Sequence, residues 1–274
     1  MKTWLITGIS RGLGKALAEA ALARGDTVIG TVRQGSGAGL GGERLHVLEL
    51  DVADPAAAGP AMEAAFAVTG RIDVLVNNAG YGLLGAIEEA TDAEAARLFE
   101  VNVFGLFRMI RAALPRMRKQ GAGHIINVTS IAGRAPTASS GLYAATKSAV
   151  EGLSQSLAQE VAPLGLKVTA VAPGGFRTDF LSSHSIRRSQ EAEVYAGSVG
   201  AAVAYLDQAA GRQPGDPVRA AAAILKLVDA PEAPVHLLLG SDALRRARAK
   251  IAAVNAEIDA WEGVTVSTDF PAES

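Results

Sequence analysis

The sequence predicts an α/β fold, with one doubly wound parallel sheet of about seven strands and helices on both of its faces. Short β-rich runs alternate with longer Ala/Leu/Glu-rich segments that favour helix, and runs such as IINV and VTAVA are almost continuously apolar. Strands joined by helical crossovers lie parallel in a sheet that is covered on both faces, which explains apolar residues on both sides of a strand. No linker interrupts the alternation, and a single domain is therefore predicted.

Seven runs have the length and composition of strands. They are Trp4–Thr7, Thr27–Val32, Leu45–Leu50, Asp73–Val76, His124–Thr129, Lys167–Ala172 and Val235–Leu239. The segments between them favour helices, among them Leu13–Arg24, Ala93–Arg118 and Leu142–Val161. In the segment DPAAAGPAMEAAF, we expect a helix to start at Asp54 and Pro55 and to restart or kink near Pro60, because Gly59 and Pro60 interrupt it.

Two stretches and the tail carry neither a strand nor a helix pattern, and residues 176–215 are the one long departure from the alternation. The Gly/Ser tract of residues 34–42 is predicted to be a surface loop. Residues 176–215 follow the sixth strand, where extra residues lie over the carboxyl ends of the strands, and they are predicted to form a substrate lid. The predicted domain spans residues 1–262, and no structure is assigned to the tail, residues 263–274.

A helix is predicted over residues 241–261, with an apolar stripe along one side. The stripe consists of Leu244, Ala247, Ile251, Val254, Ile258 and Trp261. The cations Arg245, Arg246, Arg248 and Lys250 point elsewhere. Packing of the stripe against its own domain is favoured, and a contact with another subunit is the alternative.

The composition excludes several classes of protein. The 274 residues are 49% hydrophobic, which is enough for a full core, and 26 basic residues against 28 acidic ones give no general attraction to nucleic acid or to an anionic membrane. The chain has no cysteine, which excludes disulfides and thiolate chemistry and is compatible with a reducing compartment. We find neither a signal-peptide core nor an apolar run long enough to span a bilayer, and we expect a soluble cytoplasmic protein.

Neither a metal site nor a nucleic-acid site is predicted. The histidines His46, His124, His184 and His236 are scattered and form no ligand cluster with acidic residues. The basic run of Arg111, Arg116, Arg118 and Lys119 closes a helix, where cations suit the negative end of the helix dipole, and it is interpreted as a solvated face.

A glycine-rich loop, TGISRGLG, joins the first strand to the first helix. Glycines there permit a tight turn and let backbone N–H groups and the positive helix end approach a pyrophosphate. This placement indicates a Rossmann-like dinucleotide site.

The end of the second strand predicts which dinucleotide is bound. An acidic residue at that point suits the ribose 2′-hydroxyl of NAD, whereas this chain has Arg33 there with no acid beside it. Arg11 in the glycine loop approaches from the opposite side, and two guanidiniums suit the 2′-phosphate of NADP. NADP(H) is therefore predicted in preference to NAD(H), against the alternative of two solvated surface arginines.

Three residues have the chemistry needed for carbonyl reduction. Tyr143 and Lys147 are four apart at the start of a helix and so share one face, and Ser130 ends the preceding strand. A carbonyl that receives hydride must also receive a proton as charge builds on its oxygen. We expect the Lys147 ammonium to lower the pKa of Tyr143, and the Ser130 hydroxyl to hold the substrate oxygen.

At these motifs the chain resembles the short-chain dehydrogenase/reductase family, over roughly residues 2–239. The motifs shared with the family, besides the glycine loop, are Asp51 and Val52 after the third strand, the NNAG element Asn77–Gly80 after the fourth, the segment Pro173–Thr178 after the sixth, and the tetrad Asn102, Ser130, Tyr143 and Lys147.

The resemblance implies a role for each matched residue. Tyr143 would donate the proton in reduction, Lys147 would bind the nicotinamide ribose and tune Tyr143, and Asn102 would kink its helix and hold a water beside Lys147. Thr178 would bond the carboxamide. The residues implied to contact the cofactor are Gly8, Ser10, Arg11, Gly12, Leu13, Gly14, Arg33, Asp51, Val52, Asn78, Ala79, Gly80, Tyr143, Lys147, Pro173, Gly174, Phe176 and Thr178. A homodimer or tetramer packed through Ala93–Arg118 and Leu142–Val161 is also implied.

The expected activity is that of an NADP(H)-dependent ketone reductase or secondary-alcohol dehydrogenase acting on a moderately hydrophobic substrate. The predicted walls of the substrate pocket are Tyr81, Leu142, Phe176, Phe180 and Tyr195. Two alternatives use the same fold: a non-catalytic NADP-binding sensor or scaffold, and an epimerase or dehydratase that returns the hydride to its substrate. The complete tetrad argues against the first, and the small lid argues against the second.

Overall fold

A computed structural model of the chain describes residues 1–182, 185–190 and 192–270. All seven predicted strands are present and form one parallel sheet. They are β1 (Thr3–Thr7), β2 (Thr27–Val32), β3 (Leu45–Glu49), β4 (Val74–Asn77), β6 (Gly123–Val128), β7 (Leu166–Pro173) and β9 (His236–Leu239). Their order is β3-β2-β1-β4-β6-β7-β9, so the direction of winding reverses between β1 and β4. Ligands of doubly wound sheets bind at the carboxyl edge at such a reversal.

Helices cover both faces of the sheet, and the fold prediction is confirmed. The helices are α1 (Gly12–Ala23), α2 (Ala58–Thr69), α3 (Asp92–Phe99), α4 (Leu106–Gln120), α5 (Gly141–Val161), α6 (Ala201–Ala209), α7 (Pro217–Asp229) and α8 (Ser241–Val266). Side chains of a strand alternate between the faces: Leu5 packs into the core beneath α2, α4 and α5, whereas Trp4 and Ile6 pack beneath α1 and α7.

Two short strands were not predicted. These strands, β5 (Gly82–Leu84) and β8 (Ile186–Arg188), pair in parallel and attach the lid to the segment that follows β4. At the base of the lid, Phe176 and Gly215 form an isolated β-bridge, with hydrogen bonds of 2.9 Å on both sides of it. The two ends of the predicted lid, residues 176 and 215, are thus joined to each other. Residues 183, 184 and 191 of this segment lie outside the described residues, so the prediction for His184 falls outside them too.

Two helix predictions were wrong in detail. No helix begins at Asp54, because residues 54–57 form turns; α2 begins at Ala58, with Pro60 in its first turn, where a missing N–H breaks no helical hydrogen bond. The helix predicted over Ala93–Arg118 is divided by a wider π-helical turn, Glu100–Gly105, into α3 and α4.

The expected packing of the C-terminal stripe is also wrong beyond its first turns. Helix α8 is five residues longer than predicted, and it buries only Ala243 and Ala247 against its own domain. The large apolar side chains farther along the stripe, Ile251, Ile258 and Trp261, are exposed.

Within the described part of the chain, no helix has the combined length and apolar character needed to cross a bilayer.

Candidate active site

A cleft of about 1260 Å³ opens at the carboxyl edge of the sheet, at the reversal of winding between β1 and β4. The structure brings nearly all the predicted site residues to its wall. They are Gly8, Ser10, Arg11, Gly12, Leu13, Arg33, Asp51, Val52, Asn78, Ala79, Gly80, Ser130, Tyr143, Lys147, Pro173, Gly174, Phe176 and Thr178. Gly14 and Asn102 are absent from the wall and lie behind it.

The glycine loop is held tightly against the strand ends. A Cβ placed on Gly14 would lie 2.3 Å from the Gly8 carbonyl oxygen and 2.3 Å from Asn78 Nδ2, so only glycine fits between α1 and the loop. At the start of α1 no side chain caps the helix, since the side chain of the N-cap residue, Arg11, makes no capping bond. The first N–H groups of α1 therefore remain available to an anion at this edge of the cleft.

Thr7, which sequence analysis did not single out, joins the loop to β4. Its hydroxyl oxygen accepts hydrogen bonds of 3.0 Å from the N–H groups of Asn78 and Ala79, while Asn78 Nδ2 donates to the carbonyls of Thr7 and Gly8 at 2.9 and 3.0 Å. The side-chain nitrogen of Asn78 thus holds the glycine loop in place. A threonine directly before the glycine loop was the available sequence signal.

The two arginines predicted to bind phosphate both line the cleft. Among the described residues, the guanidinium groups of Arg11 and Arg33 form no ion pair or hydrogen bond. The expectation of no acid beside Arg33 needs a correction, because Asp51 approaches from the adjacent strand. Although burial opposes it, the pKa of Asp51 is lowered by the Ala53 N–H, by Arg97 at 3.1 Å and by the charge of Arg33.

Tyr143 and Lys147 lie one turn apart on α5 and are almost completely buried, with 8% and 6% of their surfaces exposed. Burial raises the pKa of Tyr143 to about 12, and the neighbouring Ser130 hydroxyl opposes this rise. The predicted lowering by Lys147 is not seen. Its ammonium donates to the Val128 carbonyl at 2.9 Å and lies 5.8 Å from the centre of the Tyr143 ring, so desolvation dominates.

Burial also lowers the pKa of Lys147, to about 8, and the charge of Glu151 opposes this effect. Glu151 is one turn farther along α5 and is itself buried. Its carboxylate accepts hydrogen bonds from Thr129 at 2.5 Å and from Arg134 at 2.9 Å. Sequence analysis missed this acid, although the series of residues 143, 147 and 151 on one helical face was the signal for it.

Asn102 lies in the π-helical turn and is bound to the backbone that follows β4. Its Oδ1 accepts from the Tyr81 N–H at 3.0 Å, and its Nδ2 donates to the Tyr81 carbonyl at 2.9 Å and to Thr146 at 3.2 Å. A Cβ on Gly80 would lie 3.0 Å from Asn102 Oδ1 and 3.6 Å from Lys147 Nζ. Asn102 therefore approaches Lys147 across a gap that a side chain at position 80 would fill.

The loop after β7 is fixed to the first turn of α8. Asp242 Oδ2 accepts a hydrogen bond of 2.8 Å from the Gly175 N–H, and a Cβ on Gly174 would lie 2.2 Å from Asp242 Oδ1. Farther along, the Thr178 hydroxyl accepts from the Phe180 N–H at 3.3 Å and begins a short 3₁₀ turn. Asp242 was not predicted, because it lies far from this loop in sequence.

The predicted substrate walls are only partly correct. Tyr81, Phe176 and Phe180 line the cleft, and the rings of Phe180 and Tyr143 are 5.9 Å apart. Leu142 does not line it and packs against a buried cluster that includes Leu98, Ala132 and Tyr143. Tyr195 instead bonds Glu88 outside the cleft. The remaining lid wall combines apolar and cationic side chains, namely Leu181, Ile186, Tyr205, Leu206, Arg187, Arg188 and Arg212, and Arg245 and Arg246 of α8 line the cleft beside it.

Within the described ranges, no three His, Asp or Glu side chains are grouped so that they could hold a metal ion. The basic run at the end of α4 is partly paired within the chain: Arg116 bonds Glu63 and lies over the Phe66 ring, and Arg111 lies over the Phe107 ring.

Comparison with known proteins connects this cleft to a family. The sequence model of the family described as short chain dehydrogenase matches residues 2–189. Oxidoreductase BOA17 of Botryotinia fuckeliana (strain B05.10) is 37% identical over 272 residues, which cover 97% of this chain and 99% of that protein. A short-chain dehydrogenase from Streptomyces avermitilis superposes with a TM-score of 0.90 at 43% identity, covering 98% of this chain and 99% of that one.

Two further solved structures contain a nicotinamide cofactor. ElxO, with NADP bound, has a TM-score of 0.73 and 28% identity, covering 89% of this chain and 100% of that chain. The 3-ketoacyl-(acyl-carrier-protein) reductase from Brucella melitensis, complexed with NADH, has a TM-score of 0.73 and 26% identity, covering 86% of this chain and 96% of that chain. Both forms of the cofactor thus occur among the relatives.

Proposed function

Because the chain belongs to the short-chain dehydrogenase/reductase family, whose members are oxidoreductases that act on alcohol and ketone groups, we propose that it is an NADP(H)-dependent ketone reductase. The reverse reaction is the oxidation of a secondary alcohol. One observation carries the proposal: Ser130, Tyr143 and Lys147 line the same cleft as an uncapped helix N-terminus that follows a glycine loop. A proton donor therefore lies within reach of a dinucleotide.

The residues of the cleft fit a nicotinamide dinucleotide. The N-terminus of α1 and the glycine loop would hold the pyrophosphate, and Lys147 and Thr178 would hold the nicotinamide end. When bound, the reduced cofactor supplies the hydride. The gap beside Gly80, which a side chain would fill, leaves room between Asn102 and Lys147 for a ribose hydroxyl or a water molecule.

The chain's own groups supply the proton and hold the substrate. Ser130 donates a hydrogen bond to the carbonyl oxygen, and the Tyr143 hydroxyl gives that oxygen its proton as negative charge develops. With a pKa raised to about 12, Tyr143 stays protonated at neutral pH and is suited to the donor role. Lys147 acts as the cation that restores the proton through the Asn102 side of the cleft.

The test is replacement of Tyr143 by Phe, with Tyr195→Phe as the matched control outside the cleft. NADPH oxidation is followed at the nicotinamide absorbance with a panel of ketones, and NADPH binding is measured by titration. We expect Tyr143→Phe to bind NADPH nearly as wild type does and to lose turnover, while the control retains both. Turnover retained in Tyr143→Phe would refute the assignment, and NADPH binding by wild type without oxidation by any ketone would support the sensor alternative.

The preference for NADP(H) is part of the proposal and is supported by Arg11 and Arg33, whose guanidinium groups line the cleft and form no ion pair or hydrogen bond among the described residues. Arg33→Asp is expected to weaken NADPH far more than NADH, because a carboxylate repels the 2′-phosphate. Arg44→Asp, at an exposed arginine outside the cleft, makes the same change in net charge and is expected to leave the ratio unchanged. Equal effects of Arg33→Asp on the two cofactors would reject the phosphate site.

A moderately hydrophobic substrate is proposed because Phe176, Phe180, Ile186 and Leu206 line the lid side of the cleft. A cytoplasmic location and a homo-oligomer, dimeric or tetrameric, stay predictions.

A further inference from the structure

The C-terminal part of α8 presents an apolar face that the rest of the described chain leaves mostly exposed. Ala247 is its last buried residue, and after it Ile251, Ile258 and Trp261 are 61%, 59% and 64% exposed. At 1.5 Å per residue, the helix continues from this point for about 28 Å. Single exposed apolar residues are ordinary on a protein surface, whereas a continuous row along one helix marks an interaction site.

The spacing of this row indicates what covers it. The residues of the stripe, Leu244, Ala247, Ile251, Val254, Ile258 and Trp261, follow one another at alternating steps of three and four. This is the a/d pattern of a coiled coil, in which the seam of one helix packs into a matching seam on another. The partner of such a seam is a helix with the same repeat.

The charges beside the seam favour a second copy of this chain that runs in the opposite direction. Arg248 and Lys250 flank the seam near its start, and Glu257 and Glu262 flank it near its end. Side by side in parallel, two copies would place like charges at the same level. In an antiparallel pair, the basic end of each helix lies against the acidic end of the other, which is the self-complementary contact of a two-fold dimer.

The same charges define the register. When Arg248 of one copy faces Glu262 of the other, the two-fold axis passes Asn255, so that the two Asn255 amides meet; Lys250 then lies within a turn of Glu257 of the second copy. In this register Ile251 lies level with residue 259 of the second copy and packs between its Ile258 and Trp261, and Val254 packs between the Val254 and Ile258 of the second copy.

We propose that two copies of the chain pair through α8 as an antiparallel two-helix coiled coil centred near Asn255. This surface is separate from α4 and α5, through which the family resemblance implies packing. The proposal does not depend on the reaction that the enzyme catalyses, and its test reads mass and not turnover.

The first experiment compares Ile251→Asp/Ile258→Asp with Ala249→Asp/Ala256→Asp. Both double variants add two charges seven residues apart, but the second pair lies on the opposite side of the helix. Sedimentation over a range of concentrations is expected to show half the wild-type mass for the seam variant and the wild-type mass for the control. Equal masses for wild type and the seam variant would overturn the proposal. Circular dichroism and NADPH binding verify that both variants are folded.

The second experiment tests direction, using the absence of native cysteine. With a short bis-maleimide, Asn255→Cys is expected to cross-link to itself, because it lies at the axis. Arg248→Cys is expected to cross-link only when mixed with Glu262→Cys, after the two variants have been unfolded and refolded together. Efficient self-linkage of Arg248→Cys, or no linkage in the mixture, would overturn the antiparallel arrangement.

Discussion

Replacing Lys147 with Met is expected to make the cofactor-free protein more stable at neutral pH while abolishing turnover. The ammonium is buried, and the structure gives it one hydrogen bond, to the Val128 carbonyl at 2.9 Å. Methionine fills nearly the same space without a charge. The variant therefore separates the cost of burying the cation from its use in the reaction.

The magnitude follows from the pKa of Lys147, which burial lowers from 10.5 to about 8. This difference corresponds to ~3 kcal/mol of destabilisation when the lysine is charged in the folded state. Loss of the hydrogen bond to Val128 returns ~1 kcal/mol, which leaves a net gain of ~2 kcal/mol at pH 7. Between pH 8 and 10.5 the unfolded chain binds the extra proton, so the stability of the wild type rises with pH and the gain disappears.

Calorimetric melting without cofactor measures the effect. At pH 7 the midpoint of Lys147→Met is expected to lie ~4 °C above that of wild type, and near pH 10 it is expected to lie at or below it. Lys119→Met, at an exposed lysine, serves as the control for the loss of one charge. A difference that has the same sign and size at both pH values would refute the reasoning, since it would not follow the titration of a buried ammonium.

Three further outcomes are expected. Gly30→Ala should destabilise the protein by ~1 to 3 kcal/mol, because its Cβ would lie 2.1 Å from Ile9 Cδ1, and Ile9→Ala in the same chain should recover part of the loss in denaturant melts. Burial lowers the pKa of His124 from 6.5 to about 4, so stability should fall by up to ~3 kcal/mol as the pH drops through that window, and His124→Gln should lose this slope. The pKa of Asp26 is lowered, against burial, by bonds from Lys2, Arg24 and Trp4; Asp26→Asn should therefore melt below wild type at pH 7, with a gap that closes as the pH falls below 3.8.

The strands and the cofactor loop were predictable because each depends on a local pattern. The five inner strands are mostly buried and carry nearly continuous apolar runs, whereas the edge strands β3 and β9 are only partly buried. The glycine loop directly follows the first strand. In a parallel sheet the carboxyl ends of all strands lie at the same edge. Arg33, Ser130 and Pro173 each lie at such an end, and they could therefore be assigned to one cleft without knowledge of the strand order.

The missed features depend on contacts between residues that are distant in sequence. Asp242 accepts a hydrogen bond from the N–H of Gly175, which is 67 residues away in sequence. Asp51 lies close to Arg33 only because β2 pairs with β3. The pKa of Tyr143 was predicted in the wrong direction because its neighbour was visible in the sequence and its burial was not. For the C-terminal stripe, periodicity identified the apolar side but could not say whether the chain's own body would cover it.

The π-helical turn at Glu100–Gly105 amounts to one extra residue wound into an otherwise continuous rod. Each residue of an α-helix advances the side chains by about 100°, so removing one here would turn everything after it relative to everything before it. Either Asn102 would lose its hold on Tyr81, or Met109 and Ile110 would swing out of the core. The extra residue lets the Asn102 side chain face Tyr81 while Met109 and Ile110 face the core. Deleting one residue here is expected to lose one of these two contacts.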